Sequence, residues 1–220
     1  MDLIDRVGNI ARNHFESAGS SHRWDHTQRV YRLAIHLSKQ ERADQEIVGL
    51  AALLHDIGRT EEDRNRGKTC HAEKGADMAR KILSDEGFEK DKIDQIVHCI
   101  AAHRFRDSKQ PETPEARVLF DADKLDSLGA VGIGRAFLFA GEVGAKLHDK
   151  AVDLEKSLPY SEEDTAYREY LVKLRYVKDR MLTASGLELA KERHQFMTDF
   201  LERLNREVDG DICRKRKIGI

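Results

Sequence analysis

The sequence predicts an all-α protein, and its composition, its hydrophobic periodicity and its lack of strand patterns all support this. Charged residues make up 35% of the 220 residues, aromatic residues only 6%, and proline is scarce. Such a composition favours helices. Apolar residues recur at three- and four-residue spacing along most of the chain, and no stretch shows the alternation of a half-buried strand. We therefore expect roughly eight or nine helices.

Helical periodicity divides the first part of the chain into six segments separated by turn or cap signals. Thr113 followed by Pro114 is a typical N-cap and first-turn pair, and Thr69 is a candidate N-cap. The charged stretch from Gly58 to Lys68 is too polar for a core and is predicted to be a loop. The predicted helices run from Leu3 to about Ala18, from about Asp25 past Leu37, from about Asp44 to His55, from Thr69 to about Gly87, from Ile93 to His103, and from Pro114 to Asp123.

The second part of the chain continues the helical pattern. The glycine-punctuated stretch from Gly129 to Gly144 predicts a closely packed helix, and a polar loop follows around Pro159. Apolar spacing then predicts one long helix from Tyr167 to Met181 and a final helix from Leu187 to Leu204.

The length of the chain fits a single domain over residues 1–220. Within it we expect a motif-bearing core over about 20–127, a C-terminal helical part over about 128–208 and a basic tail over 211–220.

Charge and cysteine usage exclude several classes of protein. The net charge of −2 gives no bulk attraction for nucleic acid or a membrane, and no apolar run is long enough to span a bilayer. Cys70, Cys99 and Cys213 form no C-x-x-C pair, so neither a disulfide framework nor a thiolate zinc site is indicated. We expect a cytoplasmic protein without nucleic-acid or membrane partners, and a homo-oligomer is left open.

Six histidines and aspartates occupy positions on otherwise apolar helical faces. The face that carries Ile47, Leu50 and Leu54 continues directly to His55 and Asp56. Burying such polar groups is costly unless hydrogen bonds or a cation compensate them. Convergence on a metal ion explains all six positions together. They are His26, His55, Asp56, His71, His103 and Asp123.

Imidazole and carboxylate ligands without thiolate suit Mn, Fe, Co, Ni or Zn and suit Mg less well, because Mg prefers oxygen ligands. We expect Mn, Fe, Co or Ni ahead of Mg or Zn. His26, His55, Asp56 and Asp123 are enough for one divalent ion. His71 and His103 add ligands for a second ion beside it, bridged by Asp56, so we expect one or two ions per chain.

The same residues resemble the HD-domain superfamily of metal-dependent phosphohydrolases, whose motif is H…HD…D. His26, the pair His55-Asp56, and Asp123 match the motif, and His71 and His103 resemble the extra histidines of binuclear members. The resemblance implies a helical bundle with a metal site in its core. Three further stretches are similar to a subgroup of small bacterial and archaeal predicted HD hydrolases, of which at least one member has nucleoside triphosphate pyrophosphohydrolase activity. These stretches are Asp121 to Asp126, Gly132 to Phe137, and Ala190 to Met197.

At two positions the sequence departs from HD proteins of known specificity, and each departure argues against one substrate class. Arg104 and Phe105 follow His103 where cyclic-dinucleotide phosphodiesterases carry a Gly-Tyr-Pro element. Arg59 and Thr60 stand where alarmone hydrolases carry an acidic residue, although Glu61 or Glu62 offers a carboxylate nearby.

The sequence therefore predicts an enzyme that cleaves a phosphoanhydride or phosphoester of a nucleotide, or of a related phosphorylated small molecule, by metal-bound hydroxide. The predicted catalytic residues are Asp56, which binds metal and positions the hydroxide, and Lys124 and Arg59, which face the phosphate. No residue is assigned to an organic cofactor. Two alternatives stay open: an HD-type di-iron oxygenase, and a nucleotide-sensing module without turnover.

Overall fold

The computed structural model describes residues 3–16, 24–65, 68, 70–104 and 109–211, and this part of the chain contains helices and no strand. The all-α prediction is confirmed. Eight of the described helices have ten or more residues, and two shorter helices and a 3₁₀ helix accompany them. The helices are α1 Leu3–Glu16, α2 Trp24–Glu41, α3 Gln45–Leu54, α4 Arg59–Arg64, α5 His71–Asp85, α6 Lys90–Ala102, α7 Pro114–Leu125, α8 Gly129–Glu142, α9 Ala166–Val172, the 3₁₀ helix Leu174–Arg180, and α10 Ala184–Val208.

The chain divides into two compact units. Unit 1 comprises Met1–Asp126 and Asp179–Ala190, and unit 2 comprises Ser127–Lys178 and Lys191–Ile220. All six predicted metal ligands belong to unit 1. The organisation of the chain as one domain stays a prediction.

Helix α3 is the centre of unit 1. Its residues from Ile47 to Leu54 are all buried, and it contacts α1, α2, α6 and α7. The side chain of Asp44 caps its first turn by accepting hydrogen bonds from the backbone nitrogens of Glu46 and Ile47. Because the helix is apolar on all sides, its C-terminal end carries His55 and Asp56 into the interior.

Helix α7 is tied to the start of α10 within unit 1. Its Asp121 carboxylate is fully buried and accepts hydrogen bonds from the backbone nitrogens of Leu182 and Thr183 and from the Thr183 hydroxyl. These bonds satisfy donors that precede α10. At the other end of α7, Thr113 and Pro114 form the predicted N-cap and first turn.

Two predicted elements differ from the structure. The charged stretch after Gly58 contains α4, which i,i+3 ion pairs support, among them Arg59 with Glu62 at 3.1 Å. The single long helix predicted from Tyr167 to Met181 is instead α9 followed by the 3₁₀ helix, because Lys173 leaves helical geometry at φ −140°. Apolar spacing alone does not separate these two kinds of helix.

A third expectation lies partly outside the described residues, since Thr69 is not among them. Helix α5 begins at His71, and Cys70 occupies its N-cap position without a side-chain capping bond.

Unit 2 consists of α8, α9, the 3₁₀ turns as far as Lys178, and the rest of α10. A buried arginine organises its connecting segment: Arg168 donates to the Ser157 hydroxyl at 2.7 Å and to the Asp164 carboxylate at 2.8 Å. Residues 212–220 of the predicted basic tail lie outside the described part. No helix in the described residues is both long and apolar enough to cross a membrane.

Candidate metal centre

Five helices of unit 1 bring the six predicted ligands together. All six lie at or near the ends of helices, so that backbone geometry fixes where each side chain starts. Helix α2 supplies His26 in its first turn, the end of α3 supplies His55 and Asp56, α5 begins with His71, α6 is followed by His103, and the last turn of α7 carries Asp123.

The first cluster, called position A, consists of His26, His55 and Asp123. The Nε2 atoms of His26 and His55 lie 3.4 Å apart. Asp123 Oδ1 lies 3.5 Å from His26 Nε2 and 4.0 Å from His55 Nε2. The three ligand atoms all lie within 4.8 Å of one another, which is the arrangement of a group able to hold one metal ion.

The second cluster, called position B, consists of Asp56, His71 and His103. His71 Nε2 lies 3.2 Å from His103 Nε2 and 3.1 Å from Asp56 Oδ1. Asp56 Oδ1 is 3.6 Å from His103 Nε2. These three residues also form a group able to hold a metal ion, and all three are buried.

Asp56 connects the two positions because its oxygens face different histidines. While Oδ1 faces position B, Oδ2 lies 3.8 Å from His26 Nε2 and 3.7 Å from His55 Nε2. A carboxylate placed in this way is suited to bridge two ions.

Each of the four imidazoles is held through its Nδ1 and presents its Nε2 to the centre. His55 Nδ1 lies 2.8 Å from the carbonyl oxygen of Ala52, and His103 Nδ1 lies 2.6 Å from that of Ile100. Since carbonyl oxygens only accept, these two nitrogens carry the protons and donate. The Nε2 lone pairs are then left for a cation.

The remaining two rings are held by carboxylates from other elements. His26 Nδ1 lies 2.7 Å from Asp126 Oδ2, and His71 Nδ1 lies 2.6 Å from Glu62 Oε2. The centre therefore collects four imidazole nitrogens and two carboxylates around a buried space, and these donor atoms fit a divalent ion.

The pKa values of these side chains follow from burial and from neighbouring charges. Burial opposes ionisation of Asp56, but the positive charge of Arg59 and hydrogen bonds from His103 and His71 lower its pKa well below the usual value. Burial lowers the pKa of His55 to about 4, so that its ring is neutral at pH 7. At His26 burial acts in the same direction, but hydrogen bonds to Asp123 and Asp126 raise the pKa to about 9. A cation at position A would compete with a proton for His26.

Both predicted phosphate-facing cations lie beside the centre. Lys124 Nζ is 2.7 Å from Asp123 Oδ2 and 3.5 Å from the carbonyl oxygen of His103, next to a residue of each position. Arg59 Nη2 is 3.5 Å from Asp56 Oδ2. Within the described part of the chain, the buried Arg59 Nε has no hydrogen-bond partner.

Sequence reasoning left out several residues that surround the ligands. Arg29 donates to Asp126 from Nε at 2.7 Å and from Nη2 at 3.1 Å, and Arg104 Nη1 donates to Glu62 Oε1 at 2.5 Å. Chain position was the signal that could have identified these two arginines. Arg29 lies one helical turn after His26, and Arg104 directly follows His103.

Comparison with known proteins identifies relatives that extend over most of the chain. The family model described as the HD domain matches residues 23–128. Among curated proteins, YpgQ of Bacillus subtilis is 36% identical over 202 residues, which cover 87% of this chain and 86% of YpgQ.

Two solved structures are similar over nearly the whole length. The crystal structure of Bacillus subtilis YpgQ in complex with ADP gives a TM-score of 0.72 at 31% identity, and covers 95% of this chain and 100% of that one. An HD-superfamily hydrolase from Bacillus thuringiensis gives a TM-score of 0.74 at 28% identity, with coverage of 94% and 96%.

Proposed function

Because this chain belongs to the HD-domain family and has the fold of its hydrolases, we propose that it is a metal-dependent phosphohydrolase. Its substrate is a nucleotide or a related phosphorylated small molecule, in which it cleaves a phosphoanhydride or phosphoester bond. One observation carries the proposal: four imidazole Nε2 atoms and two carboxylates converge in a buried centre.

In this proposal each ion position has as ligands the side chains that surround it in the structure. His26, His55 and Asp123 would hold an ion at position A, His71 and His103 would hold one at position B, and Asp56 would serve both positions. Bound divalent ions lower the pKa of coordinated water and polarise phosphoryl oxygens, which supplies hydrolytic chemistry at neutral pH. The proposed ion is Mn, Fe, Co or Ni in preference to Mg or Zn; Mg in particular prefers oxygen ligands to imidazole.

Lys124 and Arg59 are the residues proposed to contact the phosphate. Lys124 lies beside both positions, so its ammonium group can neutralise charge that develops on a phosphoryl oxygen. Arg59 is held beside Asp56 and Glu62 through its terminal nitrogens, so its guanidinium charge lies next to the metal centre, where it attracts a phosphate group.

The nucleotide part of the proposal is supported by the similarity to YpgQ, whose crystal structure contains ADP.

A substrate panel tests the proposed function. The protein is stripped with a chelator, reloaded separately with Mn, Fe, Co, Ni, Mg or Zn, and incubated with nucleoside mono-, di- and triphosphates and with phosphodiesters. We expect phosphate or pyrophosphate release only from metal-loaded protein, with pyrophosphate from triphosphates as the leading outcome.

Other outcomes of the panel contradict the proposal. If no substrate is hydrolysed and iron-loaded protein consumes oxygen, the chain is an oxygenase of the HD type. If nucleotides bind without turnover, it is a sensing module.

A further inference from the structure

The two ion positions share an asymmetry in how their histidines are held. At each position one ring donates to a backbone carbonyl three residues earlier, at the end of its own helix: His55 to Ala52 and His103 to Ile100. The other ring, His26 at position A or His71 at position B, donates to a carboxylate from a different element. The local backbone thus fixes the orientation of His55 and His103, whereas the orientation of His26 and His71 depends on a tertiary contact.

We infer that Asp126 and Glu62 are positioning residues, each of which controls the affinity of one metal position. Asp126 acts on position A through His26, and Glu62 acts on position B through His71. The inference rests on the proposed metal sites and adds two carboxylates that are absent from the predicted ligand set. A carboxylate that accepts from Nδ1–H fixes the ring's orientation and tautomer and makes Nε2 a better donor to the metal.

Each carboxylate is itself held in place by arginine. Asp126 is buried and accepts two hydrogen bonds from the guanidinium of Arg29, at 2.7 Å and 3.1 Å. Glu62 accepts from Arg104 at 2.5 Å and from Arg59 at 3.1 Å. Such charge-assisted bonds restrict the carboxylate, so the ring that it contacts is restricted as well.

The two arrangements are separate in the fold. Asp126 follows α7 and reaches a ring of α2, whereas Glu62 belongs to α4 and reaches a ring of α5. Since each carboxylate contacts the ring of a different position, removing one charge should weaken one ion and spare the other.

Metal titration of the full chain tests this directly. Chelator-treated wild type, Asp126→Asn and Glu62→Gln are titrated with Mn²⁺, bound metal is measured by equilibrium dialysis, and EPR distinguishes isolated ions from coupled pairs. We expect wild type to bind two ions. In each variant one ion should bind about 10–100-fold more weakly, so that an isolated-ion signal replaces the coupled one. The double variant should be weakened at both positions.

Matched controls separate ring positioning from general loss of charge. Asp94→Asn removes an exposed carboxylate of α6 that pairs with Arg80, and Glu61→Gln removes the carboxylate adjacent to Glu62, which pairs with Arg64. Both control proteins should titrate like wild type. If either main variant does not fold, a milder change replaces it: Arg29→Gln loosens Asp126, and Glu62→Asp withdraws the carboxylate from His71 Nδ1 without removing its charge. Each must weaken the same ion as the main variant.

Three results would overturn the inference: unchanged titrations for both main variants, loss of the same ion in both, or controls that lose as much affinity. A wild-type chain that binds a single ion also overturns it. A wild-type chain that binds no divalent ion refutes the proposed function instead, so the two failures are distinguishable.

Discussion

At the scale of single residues, Asp56 is the side chain on which both ion positions depend, because its two oxygens face different pairs of imidazoles. We expect Asp56→Ala to lose both ions and all hydrolysis, since each position loses an anionic ligand. Metal content per chain after gel filtration and product release by the same sample measure the two effects. Circular dichroism of the metal-free variant checks the fold, and a variant that stays active with one ion would contradict the bridging role.

Substitution of Lys124 is expected to lower the rate without removing metal, because Lys124 contacts a proposed ligand and is not a ligand itself. We expect Lys124→Met to retain both ions and to lower kcat by about 100-fold, the usual scale for removing one electrostatic contact to a developing charge. Steady-state kinetics together with metal analysis provide the test.

The control for Lys124 is Lys81→Met, which removes an exposed lysine of α5 and should leave kcat unchanged. A Lys124→Met protein with unchanged kcat and a raised KM would show that this lysine only binds substrate.

At the scale of elements, the close approach of α5 to the turn after α3 positions His71 opposite Asp56. A methyl group added at Gly58 would collide with the carbonyl oxygen of His71 and lie 2.6 Å from the backbone nitrogen of Gly75. We expect Gly58→Ala to lower the free energy of unfolding of the metal-free protein by about 2–3 kcal/mol, because backbone atoms cannot move aside as flexible side chains do. Urea denaturation measures the change.

Gly134→Ala is the matched control at this scale. Gly134 is an exposed position of α8 where an added methyl group meets no atom within 4 Å. Alanine there should raise the free energy of unfolding by up to about 1 kcal/mol, as expected for a glycine replaced inside a helix. Equal destabilisation by both substitutions would show that the packing of Gly58 has no special role.

At the scale of the whole molecule, Cys99 reports how metal binding is coupled to folding. This thiol is fully buried in α6, and burial raises its pKa to about 12, so the native protein presents almost no reactive thiolate at pH 8. We expect alkylation of Cys99 to require opening of unit 1. Metal at 100 times its Kd should then slow the labelling on the order of 100-fold, because it binds only the closed state.

Mass spectrometry of the peptide that carries Cys99 measures this rate, and labelling in denaturant provides the unprotected reference. If bound metal leaves the rate unchanged, Cys99 becomes exposed by a local opening that does not break the metal centre, and the expected coupling is wrong.

Local sequence patterns were sufficient to predict most of the helices of unit 1. The helices that carry His26, His55, His103 and Asp123 were predicted because each polar residue continues an apolar face, and a helical period identifies the inward side. The helix predicted across Tyr167–Met181 was wrong at Lys173, since spacing of apolar residues does not report backbone dihedral angles. The loop prediction for the stretch after Gly58 was wrong. Helix α4 is stabilised there by ion pairs within the helix and by contacts of Glu62 with His71 and Arg104, which helical spacing of apolar residues does not reveal.

The types of donor atom and the helices that carry them were determined by the amino-acid sequence alone, because both depend on residues within a few positions of each other. Only the tertiary structure decided that Asp126 holds His26 and that Glu62 holds His71. These contacts join residues 100 and nine positions apart, and they depend on how helices pack. Periodicity tells which way a side chain points, whereas packing determines which partner it meets there.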